Sequence, residues 1–103
     1  MKTLTLSLKR KWFDMIKSGE KKEEYRDNSV YWQRRLYRSM DANDAELKHF
    51  DRLVFTLGYP KADDAERRLT FKNPRIRIGT GRPEWGAEPG KQYFVITFGD
   101  RVE

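Results

Sequence analysis

The chain has no cysteine among its 103 residues and only one histidine, His49. Without cysteine it has neither a disulfide framework nor thiol chemistry. One histidine is too few for a histidine metal site, or for a Ser-His-Asp triad with any redundancy. No apolar run approaches the roughly 20 residues of a membrane span. Met1 to Leu8 lacks the apolar centre of a signal peptide, so a cytoplasmic home is expected. Acid is also in short supply: 16 Asp and Glu stand against 22 Lys and Arg, for a net charge of +6. That balance points to an anionic partner such as RNA or nucleotide, or simply to a soluble basic surface. The length suits one domain, residues 1–103, built around a single core. No repeat or low-complexity tract interrupts it.

The apolar residues that are present fall into clear periods. Leu4, Leu6 and Leu8 alternate with Thr3, Thr5 and Ser7, the period of a half-buried strand. Trp12, Met15 and Ile16 continue from Leu8 at helical spacing and predict a helix over residues 9–18. Gly19 suits the left-handed residue that ends such a helix. Residues 21–26 read as a strand that carries Lys21, Glu24 and Arg26 outward. Strict alternation there sets Lys21, Glu23 and Tyr25 against Lys22, Glu24 and Arg26. Asn28 or Ser29 caps a second helix that runs to Met40, with Trp32, Leu36 and Met40 facing the core. Asp41 to Phe50 allows a short helix. Arg52 to Leu57 is apolar enough for a central strand. Arg68 to Ile78 alternates again, with Pro74 as a break or bulge. Gly79 to Gly86 reads as a glycine-rich loop, and Tyr93 to Phe98 as the closing strand. The order predicts an α+β fold: a small twisted mixed sheet or partly closed barrel with two to three short helices beside it.

Four groups of residues carry possible chemistry. Lys21, Glu24 and Arg26 form the first. A desolvated Lys21 oriented by Glu24 is a candidate general base. The same three residues could instead clamp a phosphate or a base edge, or form a charge ladder on an exposed strand. Tyr31, Arg34, Arg35 and Arg38 share a helix face at i, i+3, i+4 and i+7. They suit phosphate contact and base stacking, or a solvated face. Trp85, in the glycine-rich loop, could cap a bound base or fold over the core. Lys9, Arg10 and Lys11 place positive charge at a helix start, against the helix dipole, which favours a nearby anion. No metal or cofactor is expected.

Leu6-Ser7-Leu8-Lys9, Trp12, Met15-Ile16 and Ser18-Gly19-Glu20-Lys21-Lys22-Glu23-Glu24-Tyr25-Arg26 together resemble the ASCH domain, the activating signal cointegrator homology domain of the PUA-like superfamily. Gly19, Lys21, Glu24 and Arg26 match its Gly-x-Lys-x-x-Glu-x-Arg motif, and Tyr93 to Phe98 resembles its final strand. The resemblance implies a PUA-like β-barrel with flanking helices. It also implies a cleft for RNA or a nucleotide, lined by Ser7 and Lys9 at the end of the first strand and by the strand of Lys21, Glu24 and Arg26, and Trp85 of the glycine-rich loop is a further ligand-binding candidate. Lys11, Tyr31, Arg34, Arg35 and Arg38 would extend the anion-binding surface. Some relatives of that family are hydrolases, either ribonucleases or N4-acetylcytidine amidohydrolases. Lys21 stands where the amidohydrolase lysine would, with Glu24 as its catalytic companion. Glu24 also occupies the family's threonine position, and a carboxylate is not an equivalent hydroxyl nucleophile. Glu23 stands where the family is usually apolar, which a locally open barrel or an ion pair with Lys21 would account for. The expected function is an RNA- or nucleotide-binding monomer. A small metal-independent hydrolase, or a protein-interaction domain with a basic face, are the alternatives.

Overall fold

Leu4, Leu6 and Leu8 do what their alternation asks: all three are buried in strand β1, Thr3–Leu8. The structure is a computed structural model that describes residues 1–39 and 46–103. Helix α1, Arg10–Lys17, follows β1 and buries Phe13 and Ile16. It ends as predicted, with Ser18 as the cap and Gly19 at φ 86°. Any side chain at position 19 would be strained there. Then come β2, Glu23–Asp27, and helix α2, Val30–Leu36. The Ser29 side chain caps α2 by accepting from the Trp32 N–H. The remaining strands are β3 (Tyr37–Ser39), β4 (Glu46–Leu47), β5 (Arg52–Leu57), β6 (Arg68–Lys72), β7 (Arg75–Thr80) and β8 (Gln92–Thr97). Single 3-10 turns lie at Ala65–Arg67 and Pro83–Trp85.

The strands assemble into two three-stranded sheets, β1-β5-β6 and β2-β8-β7, plus the small pair β3-β4. β5 is central as expected, parallel to β1 and antiparallel to β6. β8 is central in the second sheet, antiparallel to both neighbours. Pro74 breaks the 68–78 stretch, and its two halves join different sheets. Both sheets are open, so the fold is α+β without a closed barrel among the described residues. The main core lies between them. Leu6, Leu53, Phe55 and Leu69 of the first sheet meet Phe94 and Ile96 of the second, with Leu36 of α2. Each such side chain contributes about 1.5–3 kcal/mol by leaving water. No described helix is long and apolar enough to cross a membrane.

Two expected elements differ. α2 stops at Leu36 instead of Met40, because Tyr37 turns extended (φ −85°, ψ 136°) and starts β3. Its ring packs edge-on against Phe94, 5.6 Å between centroids, so tertiary packing overrides the helical period. Arg38 therefore sits on a strand. Met40 and Asp41 to Ala45 lie outside the described residues, and Glu46–Leu47, inside the expected short helix, is strand β4.

Candidate functional site

Register decides the site. In the antiparallel pair β2-β8, Glu24 lies opposite Ile96 and Arg26 opposite Phe94. Directly opposed residues share a sheet face, and Ile96 and Phe94 face the main core. Glu24 and Arg26 thus point inward, the reverse of the outward placement expected from sequence. Tyr25 takes the other face with Val95 and Tyr93, under Ala87. Lys21 departs further from expectation. β2 starts only at Glu23, so alternation does not govern Lys21. Its N–H donates to the Met15 carbonyl at the end of α1, and its side chain turns inside, where it is 1% exposed.

There Lys21 Nζ lies 3.1 Å from Glu24 Oε1 and donates to the Trp85 carbonyl oxygen at 2.5 Å. The rings of Trp12 and Tyr25 approach the ammonium with centroids at 4.8 and 5.0 Å. The second Glu24 oxygen meets Arg26 Nη2 at 2.9 Å, and the same guanidinium donates to the Ser7 carbonyl at 2.9 Å. Trp32 lies against Arg26, 5.2 Å from guanidinium carbon to ring centroid. Arg26 Nε is buried with no hydrogen-bond partner among the described residues. One carboxylate therefore bridges two cations, and the cluster carries one excess positive charge. Each contact is worth about 4 kcal/mol at an effective dielectric constant of 20, against several kcal/mol to desolvate each ion. The cluster is close to balance when whole and costly when broken.

The three residues differ in access. Glu24 and Arg26 line a cavity of about 700 Å³, together with Ser7, Lys9, Trp12 and Trp85. Lys21 stands behind this wall. Burial pushes its ammonium below the ordinary lysine range, with Glu24 pulling the other way. Deprotonation of Lys21 is thus eased in the fold, and the sign follows: from the lowered value up to 10.5 the unfolded chain holds the extra proton. Native stability should therefore rise, relative to a Lys21→Met variant, as pH climbs through that window. Paired urea titrations at stepped pH check this, and a constant difference would refute it. Tyr25 is common to both chains and cancels. Its hydroxyl, pushed up to about 12 by burial, donates to Glu23 Oε1 and accepts from the Arg82 N–H.

The other expected site residues separate into three groups. Ser7, Lys9 and Trp85 join Glu24 and Arg26 at the cavity. Trp85 is half-buried and outside both core clusters, with Arg82 stacked at 4.8 Å. Tyr31 and Arg35 line a second cavity of about 420 Å³ with Trp32. Lys11, Arg34 and Arg38 line neither: Lys11 lies on the outside of Trp12, and Arg38 pairs with Glu46 at 3.7 Å. Glu23 pairs with Arg77 at 3.1 Å, not with Lys21. Sequence reasoning missed Tyr59, which borders both cavities and is 95% exposed. A Gly-Tyr-Pro turn directly after the central strand was the available signal. Trp12 was read only as core, yet it also lines the cavity. Lys91, likewise missed, pairs with Asp27 at 3.1 Å on the cavity rim, and that hydrogen bond raises its pKa.

No protein-family model, curated protein or solved structure matches this chain.

Proposed function

We propose that this chain is an ASCH-type, PUA-like module that binds single-stranded RNA or a nucleotide in the cleft over Arg26. The observation that carries the reading is the bridged cluster itself: one carboxylate for two cations at the wall of a cavity bordered by tryptophans. Two cations that share one carboxylate leave positive charge in a partly desolvated site, which a phosphate would neutralise. Trp12 and Trp85 offer flat surfaces for a base at the same cavity. In this reading Lys21 is a positioning residue, holding the Trp85 turn and the Glu24 carboxylate in place.

A hydrolase in which Lys21 acts as base is the second reading, favoured by its lowered pKa. Against it, the ammonium is 1% exposed and its contacts are the Glu24 oxygen, the Trp85 carbonyl and two rings. A substrate atom reaches Nζ only if the Trp85 turn moves away.

The test is a titration with a single-stranded RNA oligonucleotide at stepped salt, followed by tryptophan fluorescence, with products examined by mass spectrometry. Binding whose affinity falls with salt, at a log-log slope of about −0.7 per phosphate contacted, supports the proposal. Turnover of neutral acylated nucleosides, indifferent to salt, would replace it with the hydrolase reading.

A further inference from the structure

The two cavities are neighbours. Ser7, Arg26 and Tyr59 border both, so one groove runs from Trp85 across Arg26 to Tyr31 and Arg35. We infer that this groove takes two consecutive nucleotides of a single strand, one in each cavity, with the linking phosphodiester over Arg26. This rests on the nucleotide-binding reading above and adds the class of ligand: an oligonucleotide, not a free nucleoside.

Each part of such a ligand has a counterpart. The first cavity, about 700 Å³, falls within the 300–1,000 Å³ typical of small-molecule sites. The second, about 420 Å³, has its own stacking surface. Tyr31 and Trp32 meet edge to face at 89°, and the Arg35 guanidinium lies 5.6 and 5.4 Å from their rings. Arg35 Nη1 donates to the Tyr31 hydroxyl at 3.0 Å, which fixes both side chains on the helix surface. No carboxylate among the described residues pairs with Arg35. Arg26 and Arg35 both gather on Trp32, so positive charge concentrates where the cavities join. A phosphodiester there would neutralise it, and its two nucleosides would extend to either side.

Tyr59 stands at the junction. Gly58, at φ 63°, turns the chain after β5, and its N–H donates to the Leu8 carbonyl at 3.2 Å. Its carbonyl accepts from the Thr56 hydroxyl at 2.8 Å. The turn is thus tied to β1 and β5 while the Tyr59 ring stays 95% exposed between the cavities. A free ring on a fixed backbone is suited to cover a base on either side.

The experiment compares a nucleoside 3′,5′-bisphosphate with a 5′-phosphorylated dinucleotide, in the native chain and in Tyr31→Ala/Arg35→Ala. Both substitutions lie on the exposed face of α2, and circular dichroism checks that the helix is kept. The bisphosphate carries at least as much charge, so any advantage of the dinucleotide comes from its second nucleoside. The expected result is about tenfold tighter binding of the dinucleotide, an advantage that the double variant erases, while loss of the Arg35 charge at the junction weakens both probes alike. Equal affinity for the two probes would overturn the two-cavity inference and leave the single-nucleotide reading standing. A dinucleotide advantage that survives in the variant would overturn the placement of the second unit. No binding of either probe would overturn both readings.

Discussion

Replacing Glu24 by Gln is expected to cost about 3–5 kcal/mol of stability, the usual penalty for removing one partner of a buried ion cluster. Gln keeps the shape of the side chain and removes the one negative charge that Lys21 and Arg26 share. The Lys21 and Glu24 side chains are only 1% and 8% exposed, so water cannot take over the missing role. The fold would respond by deprotonating Lys21 more readily, since Glu24 is the main influence that raises its pKa. The variant should therefore recover part of its loss as pH rises toward 10.5. Adding Lys21→Met should recover stability too, because the unpaired ammonium is then gone. Urea unfolding measures all three chains at unchanged m-value. Asp14→Asn is the control. Asp14 pairs with Arg10 at 3.9 Å on the exposed face of α1, where such pairs are worth well under about 1 kcal/mol. If Glu24→Gln cost no more than Asp14→Asn, the bridged cluster would not be holding the two sheets and the Trp85 turn together.

Arg26→Met should weaken binding of single-stranded RNA by about 10- to 100-fold. A hydrogen bond to a charged group is worth about 1.5–3 kcal/mol, and each 1.4 kcal/mol is tenfold. Stability should suffer less than in Glu24→Gln, because Glu24 keeps Lys21 as its partner. Arg26→Lys should rescue only part of the loss. It restores a charge without the planar fork that contacts Ser7, Glu24 and Trp32 together. Arg34→Met is the matched control: it removes an exposed arginine that borders neither cavity, and should leave affinity nearly unchanged. Fluorescence titration of the four chains at one salt concentration checks the order. Native-like affinity in Arg26→Met would remove Arg26 from the site and with it the proposed binding mode.

The elements that follow from near neighbours in the chain were legible in the sequence. The β1 alternation, the α1 helix with its stop at Gly19, the Ser29 cap and the apolar β5 each depend on a few adjacent residues. So were most of the groups that meet at the cavity: Lys9, Glu24, Arg26 and Trp85 stand out by residue type and spacing, and Ser7 by the family resemblance. What these groups do to one another was not legible. Alternation sets Lys21 apart from Glu24, and only the late start of β2 and the Met15 carbonyl swing its side chain inward. Its other partner, the Trp85 carbonyl, is 64 positions away.

The arginine face shows the same limit. Its helical period is genuine up to Arg35, and then Tyr37 packs on Phe94, the chain turns extended, and Arg38 leaves the group. Tyr59 and Trp12 reach the cavity because β1 and β5 run parallel and end side by side, a pairing no short window contains. By itself, then, the sequence determined the elements, the excess of positive charge and most of the candidate site residues, since those depend on local periods and residue chemistry. Only the tertiary structure decided that Lys21 and Glu24 are interior and that Arg26 joins two cavities. Register between β2 and β8 sets which face of a strand meets the core, and contacts between distant segments set which charges share one carboxylate.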